Sequence, residues 1–242
     1  MCSSDLDTVG GGFSRYSVDT KWHVPHFEKM LYDNALLLSV YAEAYQLTHQ
    51  EEYAEVICKT ISFLQREMLA TDGGFYAALD ADSEGVEGKY YVWSKKEIDE
   101  LLGEERSKFF CKMFNVNEDG NWEHTNVLWM PETITDIAAQ LNISVDDLKE
   151  NITASSKILF KERNKRIRPG LDDKILLGWN ALMITALCKC YAAIGDDSYL
   201  HLAEKNISFI EKNIMNDDES FVHSFKEIKN NQPAFLDRKS VV

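Results

Sequence analysis

Residues 23–35 of the chain read HVPHFEKMLYDNA and lead directly into an apolar helical pattern. Apolar side chains recur every three or four positions from Phe27 onward, which predicts an amphipathic helix from about Pro25 to Leu47. A proline is tolerated in a first helical turn because its missing N–H has no partner there. The polar side chains of this stretch are therefore predicted at the start of a helix, where backbone N–H groups and the helix dipole are available to a ligand.

The composition limits the classes of partner. The 242 residues include 26 Lys and Arg against 40 Asp and Glu, a formal net charge of −14. Such an acidic surface disfavours nucleic acid and anionic membranes as partners. No apolar run approaches the roughly 20 residues of a membrane span, and the first residues show no signal peptide. We expect a globular, cytoplasmic protein.

The five cysteines predict no metal or redox centre. Cys58 and Cys188 fall in helical patterns and are predicted to be buried free thiols, as in a reducing cytoplasm. Cys188 and Cys190 form a C-x-C pair that lacks the spacing and the neighbouring ligands of a zinc site. The loop Gly10–Gly12 lacks the strand before it and the helix after it that a dinucleotide site needs. We therefore predict neither a cofactor nor a metal.

The rest of the chain alternates helices with turns. A second helix is predicted over about 51–69, and a β-like excursion over 75–93 follows the break at Asp72–Gly74. Ser94 and Glu97 form the sequence pattern of a capping box. Further helices are expected over about 133–141, 144–165, 175–194 and 198–215.

The chain contains an internal repeat at a spacing of 146 residues. Asn34-Ala35-Leu36 aligns with Asn180-Ala181-Leu182, and Ile61-Ser62-Phe63 aligns with Ile207-Ser208-Phe209, without a gap. A repeated αα-hairpin cannot bury its apolar face alone, so such hairpins stack or close into a ring. We predict an all-α fold, an (α/α)6 toroid with short β-like excursions at its rim, and keep a superhelical solenoid as the alternative.

Both ends of the chain look foreign. Residues 2–6 and 237–240 can be encoded by DNA strands that are reverse complements of each other, as translated sequencing adapters would be. We therefore expect residues 1–9 to be a non-native or disordered leader and residues 237–242 to be a non-native tail. Residues 10–236 would form one partial toroid domain.

Three stretches resemble a signature of the thioredoxin-domain-containing, spermatogenesis-associated protein family. They are Tyr16-Ser17-Val18-Asp19 with Trp22 and Val24–Ala35, then Ala78–Gly85 with Glu87-Gly88, and finally Asp172-Asp173-Lys174 with Trp179-Asn180. The resemblance covers nearly everything between Gly10 and about Phe225. Ala181 departs from it, because the family more often has glycine there.

The resemblance implies an N-terminal thioredoxin-like domain followed by a six-hairpin toroid. That toroid is similar to those of N-acylglucosamine 2-epimerases, cellobiose epimerases and six-hairpin glycosidases. This chain would then be the first and middle part of the toroid, with the thioredoxin-like domain and the closing hairpins missing. A sugar or glycan is the expected ligand.

Three polar sets with aromatic neighbours are candidates for a sugar site, because sugar hydroxyls both donate and accept hydrogen bonds. The first set is Trp22, His23, His26, Glu28, Tyr32, Asp33 and Asn34. The second is Asp80, Asp82, Glu84 and Glu87, and the third is Asp172, Asp173, Lys174, Trp179 and Asn180.

Each set also has a structural interpretation. Asn34 and Asn180 could satisfy helix ends and loop backbone, and His26 could be a hydrogen-bonded core histidine. Residues 80–87 resemble a calcium loop in composition but lack its full spacing, so a buried acidic turn is the preferred interpretation.

Three functions remain open. An epimerase or isomerase would use His26 and His23 as acid and base, whereas a glycoside hydrolase would use two of Asp33, Asp82 and Asp173. The second possibility is a non-catalytic carbohydrate- or protein-binding module attached to a redox domain. The third is a structural scaffold. Fold analogy alone cannot choose between them.

Overall fold

The computed structural model describes residues 5–226 together with the backbone of 228–229. The chain divides into two compact units. We call the first the hairpin unit; it comprises Gly11–Phe13, Lys29–Asp80 and the described residues from Leu171 onward. We call the second the excursion unit; it comprises the described residues up to Gly10 together with Ser14–Glu28 and Ala81–Gly170. The single partial toroid domain expected over 10–236 stays a prediction.

The hairpin unit consists of two αα-hairpins and short strands. Its helices are α1 (Leu31–Thr48), α2 (Glu51–Glu67), α6 (Leu177–Ile194) and α7 (Asp197–Asn213). Strands β3 (Lys29–Met30), β4 (Ala78–Leu79) and β7 (Leu171–Asp172) form one antiparallel sheet, in the order β3-β4-β7. Strands β8 (Ile175–Leu176), β9 (Ser224–Lys226) and β10 (Ile228–Lys229) form another, in the order β10-β9-β8.

The excursion unit holds the remaining elements. Strands β1 (Tyr16–Ser17) and β2 (Pro25–His26) pair with each other, as do β5 (Asp82–Ser83) and β6 (Val86–Glu87). Helices α3 (Lys95–Met113), α4 (Ile134–Leu141) and α5 (Val145–Arg163) surround a separate apolar core. The predicted capping box of Ser94 and Glu97 is confirmed at the start of α3.

The prediction of an all-α fold built from (α/α) hairpins with short β-like excursions is confirmed. The predicted start of the first helix is wrong, because α1 begins at Leu31 and not at Pro25. Pro25–His26 and Lys29–Met30 are extended, since both segments pair with neighbouring strands. The imidazole-rich stretch therefore lies on strands ahead of the helix.

The internal repeat is confirmed at the level of single hydrogen bonds. The bounds of α6 and α7 lie 146 residues beyond those of α1 and α2. The bridge between Leu69 and Phe75 recurs between Met215 and Phe221, and the register of β3 on β4 recurs in β8 on β9. The two hairpins are therefore the same structural unit, built twice.

A buried ion pair orders the beginning of the described chain. Asp7 accepts two hydrogen bonds from Arg163, at 2.9 and 2.8 Å, and both side chains are almost fully buried. Although burial alone would lower the pKa of Arg163, the charge of Asp7 and its hydrogen bond raise it. Residues 5–9 are therefore ordered, and the expectation that residues 1–9 are a non-native leader stays a prediction. Residues 1–4 and the predicted tail 237–242 lie outside the described residues.

The four described cysteines are free thiols. Cys58 and Cys188 are exposed free thiols, so the prediction that they are buried is wrong; Cys111 and Cys190 are buried.

Helix α6 is long and apolar enough to cross a membrane by length and composition alone. It packs against α1 and α7, however, and a core helix passes the same test.

Candidate functional site

His26 lies between two carboxylates in the excursion unit. Its Nδ1 is 2.8 Å from Glu87 Oε1, and its Nε2 is 3.6 Å from Glu28 Oε2. Arg15 donates to the same Glu28 oxygen at 3.0 Å. The ring stacks on Tyr16, with 4.9 Å between ring centroids. The β1–β2 register builds this cluster, because it pairs Tyr16 directly with His26.

His26 can act as an acid or a base in this setting. Because a carboxylate only accepts hydrogen bonds, Nδ1 of His26 donates its N–H to Glu87. In the neutral form of the ring, the lone pair is then on Nε2. At 3.6 Å, Nε2 and Glu28 are too far apart for a hydrogen bond, so Nε2 is not occupied by that carboxylate. The side chain is one-quarter exposed and hydrogen-bonded to Glu87, so both interpretations of His26, a hydrogen-bonded core histidine and a ligand-facing one, stay open.

The loop before His26 presents an aromatic ring to solvent. Asp19 Oδ1 accepts from the backbone N–H of Lys21 at 2.6 Å, and Oδ2 accepts from that of Val24 at 2.6 Å. Although burial raises the pKa of Asp19, these backbone hydrogen bonds lower it below its usual value. Trp22 lies at the tip with a left-handed φ of 57° and is 55% exposed.

His23 is not part of the His26 cluster. Its ring packs on Trp129, with 4.7 Å between centroids. His23 Nε2 and Trp129 Nε1 are both buried, and neither has a hydrogen-bond partner among the described residues. The structure therefore does not bring the two predicted catalytic histidines together.

The acidic stretch of the excursion unit is an exposed β-hairpin. Asp82 pairs in register with Glu87, and the turn at Glu84 and Gly85 has φ values of 55° and 74°. Glu84 forms an ion pair with Lys89 at 2.7 Å. The preferred interpretation of a buried acidic turn is wrong, because Asp82, Glu84 and Glu87 are exposed. Within the described residues, no group of three His, Cys, Asp or Glu is arranged to hold a metal ion.

The third candidate set lies in the hairpin unit and is largely paired. Asp172 Oδ2 accepts from Lys174 Nζ at 2.9 Å. Asp173 forms an ion pair with Lys226 at 2.6 Å, and the hydrogen bond from Lys226 lowers the pKa of Asp173. Asp80, the residue that follows β4, is exposed.

Two further candidates in the hairpin unit form an aromatic pair. Tyr32 and Trp179 pack with their ring centroids 4.9 Å apart, and both side chains are half-buried. Asp33 is also half-buried on α1. These residues line the starts of α1 and α6.

Asn34 and Asn180 hold backbone, as the structural interpretation proposed. Asn34 accepts from Phe13 N at 2.8 Å and donates to Phe13 O and Met30 O. Asn180 makes the same three bonds to Phe75 and Leu176. Both side chains are fully buried. They are structural clamps and not ligand contacts, which corrects their assignment as ligand-binding residues.

Sequence reasoning missed Arg15 and Tyr16 of the His26 cluster, Trp129 beside His23, and Lys226. Tyr16 could have been found, because a strand through Tyr16 and another through His26 are short extended pieces joined by a tight polar loop. The contacts of Trp129 and Lys226 join residues distant in sequence and leave no local pattern.

The paired hairpins define a class, an (α/α) hairpin protein, and the excursion unit carries the His26 cluster. No family model matches the chain. The chain is 34% identical over 233 residues to human spermatogenesis-associated protein 20, which is 86% of this chain and 30% of that protein. It is 38% identical over 231 residues to an uncharacterized protein of Caenorhabditis elegans, 85% of this chain and 32% of that protein.

The chain is therefore homologous to spermatogenesis-associated protein 20 over most of its length, as the resemblance indicated. It spans about a third of the length of these curated relatives.

Among solved structures, the chain is similar to two sugar-processing enzymes. One is a family 76 glycoside hydrolase from a bovine Bacteroides thetaiotaomicron strain, with a TM-score of 0.45, 13% identity, and coverage of 86% of this chain and 27% of that one. The other is cellobiose 2-epimerase from Bacillus thermoamylovorans B4167, with a TM-score of 0.30, 13% identity, and coverage of 96% and 72%. Likeness at this level transfers no residue role to this chain.

Proposed function

We propose that the chain is part of a carbohydrate-processing (α/α) toroid that epimerises or isomerises a sugar, with His26 as its acid–base group. The observation that carries this proposal is the His26 cluster. An imidazole that is one-quarter exposed is fixed by Glu87 at 2.8 Å, stacks on Tyr16, and keeps Nε2 without a hydrogen bond to Glu28. The toroid, its sugar ligand and a thioredoxin-like domain in the longer protein are parts of the proposal.

The chemistry requires one proton to leave and return. Nε2 of His26 takes the proton from the carbon beside the sugar carbonyl; the C–H electron pair forms a carbon–carbon double bond and the carbonyl pair moves onto its oxygen, which gives an enediolate. A proton from water on the opposite face of that carbon gives the epimer and regenerates the carbonyl, and His26 returns its proton to the solvent. If the hydroxyl proton of that carbon instead passes to the enediolate oxygen and His26 returns its proton to the former carbonyl carbon, the product is the isomer. A general acid–base group of this kind contributes about 10²–10⁴-fold to a rate.

Glu28 and Glu87 have different roles in this proposal. Glu87 holds the ring and its tautomer through Nδ1, and Glu28 lies beside the nitrogen that exchanges protons. Arg15 fixes the position of Glu28 at 3.0 Å. A hydrolase would instead use carboxylates in pairs, and Asp173 is already paired with Lys226. The acid–base histidine is therefore preferred over the candidate carboxylates.

The experiment incubates the protein with reducing sugars and N-acylated sugars in deuterated water and follows the products by NMR. Deuterium should enter at the carbon beside the carbonyl, and His26→Gln should lower the exchange rate by about 10²-fold or more. His201→Gln is the matched control, because that histidine is 81% exposed on α7. An unchanged rate in His26→Gln would exclude His26 as the acid–base group.

A binding module without turnover is the second candidate function. Tyr16 and Trp22 expose 50% and 55% of their surface, and aromatic faces of this kind stack on sugar rings. This candidate predicts saturable quenching of tryptophan fluorescence by a glycan, abolished in Trp22→Ala, with no deuterium exchange in any variant.

A further inference from the structure

Helices α1 and α6 are the first helices of the two hairpins, and they differ in the burial of one side of the helix, which we call a flank. On α6, the side chains of Met183, Ala186 and Cys190 are fully buried. The positions 146 residues earlier are Leu37, Val40 and Ala44 of α1, which we call the Val40 flank. Leu37 and Ala44 are half-buried and Val40 is 59% exposed. The same flank is thus covered in the second hairpin and uncovered in the first.

The reason lies in how the repeat packs. Helix α6 places this flank against α1, as the contact of Cys190 Sγ with the carbonyl of Leu38 at 3.9 Å shows. On the opposite side of the two helices, the first hairpin is covered and the second is not. Ala42 of α1 is fully buried in the shared core, whereas its equivalent in α6, Cys188, is exposed. Contacts of this head-to-tail kind leave one unused flank at each end of a series.

A second observation lies at the other end of α1. The segment Gly11–Phe13 packs on the first hairpin, and the segment Gly73–Phe75 packs on the second hairpin through equivalent contacts. An added Cβ at Gly11 or Gly73 would meet the carbonyl of Lys59 or Lys205, which are equivalent residues. Asn34 clamps both backbone groups of Phe13, and Asn180 clamps those of Phe75.

The turn at Gly73–Phe75 is the exit of α2, so it belongs to the hairpin that precedes α6. By the same relation, Gly11–Phe13 has the contacts of an exit turn from a hairpin that precedes α1. Both observations point to the same missing neighbour.

We propose that the Val40 flank is a docking surface for the first helix of another (α/α) hairpin, encoded before Gly11 in a longer polypeptide. That helix presents small and branched apolar side chains, as α1 presents Leu38 and Ala42 to α6. The curated relatives are about three times the length matched here, which leaves room for such a hairpin.

The test compares thiol accessibility in two proteins, the 242-residue chain and the product of the reading frame extended upstream at its source locus. Val40→Cys is a small change in volume and should label rapidly in the chain. In the extended protein its labelling rate should fall at least tenfold. Gln46→Cys is the matched control on the same helix, exposed and away from the flank; it should label equally fast in both. Peptide mapping separates these sites from Cys58 and Cys188.

Equal labelling of Val40→Cys in the two proteins would overturn the proposal, as would a locus that encodes no upstream hairpin. Protection that appears in the 242-residue chain and grows with its concentration would assign the flank to a second copy, which also overturns it. Val40→Glu gives an independent measurement: its Tm should be unchanged in the chain and lowered in the extended protein.

Discussion

The two hairpins satisfy the same backbone carbonyl with different side chains. In the second hairpin, Gly73 O accepts a hydrogen bond from Asn206 Nδ2 at 2.8 Å. In the first, the matching atom is Gly11 O, and it accepts from Lys29 Nζ at 2.8 Å. A buried carbonyl needs a partner, but any donor within reach can supply it. The repeat therefore preserves the satisfied atom and leaves the residue free to change.

The two solutions have different costs. Lys29 is 1% exposed, so the first hairpin buries an amine, whose charge lies 4.6 Å from the ring centroid of Phe63. The position equivalent to Asn206 is Thr60, whose buried hydroxyl has no hydrogen-bond partner among the described residues. The second hairpin instead joins Asn206 to Asn180 at 2.9 Å, which makes a neutral network of two amides.

The largest expected effect separates the two clamps. Asn180→Ala removes the partners of Phe75 N, Phe75 O, Leu176 O and Asn206, and should cost about 3–5 kcal/mol of unfolding free energy. Asn34→Ala removes a clamp that has no second amide and should cost about 2–4 kcal/mol. Urea unfolding of both variants measures the difference. Ser39→Ala, at a half-buried helix position, is the control and should change little. A larger loss in Asn34→Ala than in Asn180→Ala would contradict the network.

A transplant between the hairpins is the next test. Lys29→Ile copies Ile175, its equivalent in the second hairpin, and leaves Gly11 O unpaired, at a cost of about 2–3 kcal/mol. Adding Thr60→Asn copies Asn206 and should restore at least half of that loss, because the new amide can reach the same carbonyl. The double variant and both single variants are compared by urea unfolding.

Two results would count against this view of the repeat. One is a double variant whose two changes in unfolding free energy are additive, so that Thr60→Asn restores none of the stability lost in Lys29→Ile. The other is a gain from Thr60→Asn alone as large as its gain in the Lys29→Ile background.

The sequence predicted the repeat and the helices well, because both depend on local periodicity. The spacing of 146 residues placed Asn34 over Asn180, and in the structure the repeat extends past the turn to Phe75 and Phe221. The start of α1 was predicted wrongly. Short strands of two residues are formed by partners elsewhere in the chain, such as β4 for β3, and carry no periodic signal of their own.

The candidate site was predicted in part. His26, Glu28 and Glu87 come together, although 61 residues separate His26 from Glu87. The separation of His23 from this cluster could not be predicted. Alternate residues of a strand point to opposite faces, but the sequence predicted a helix from about Pro25 and not a strand. The burial of Lys29 also gave no signal, since a lysine beside a glutamate is typical of a solvated surface.

The smallest expected effect concerns the caps of the second helices. Asp196 caps α7 and accepts from Ser198 N at 2.9 Å, whereas its equivalent Gln50 makes no side-chain cap on α2. The hydrogen bonds from the Ser198 side chain and backbone lower the pKa of Asp196 below 3.8. Its stabilising contribution is therefore complete above the unfolded pKa and is lost as the pH falls through the folded one.

Gln50→Asp should give the first hairpin the same cap and raise Tm by about 1–3 °C at pH 7. The gain should fall as the pH drops from the unfolded pKa through the lower folded pKa of the new carboxyl, because a protonated carboxyl loses the charge that favours the helix N-terminus. Gln50→Asn is the matched control: its amide caps without a charge, so its gain should be the same at both pH values. Thermal melts at pH 7 and pH 3 decide the matter, and a pH-independent gain in Gln50→Asp would show that hydrogen bonding alone distinguishes the two caps.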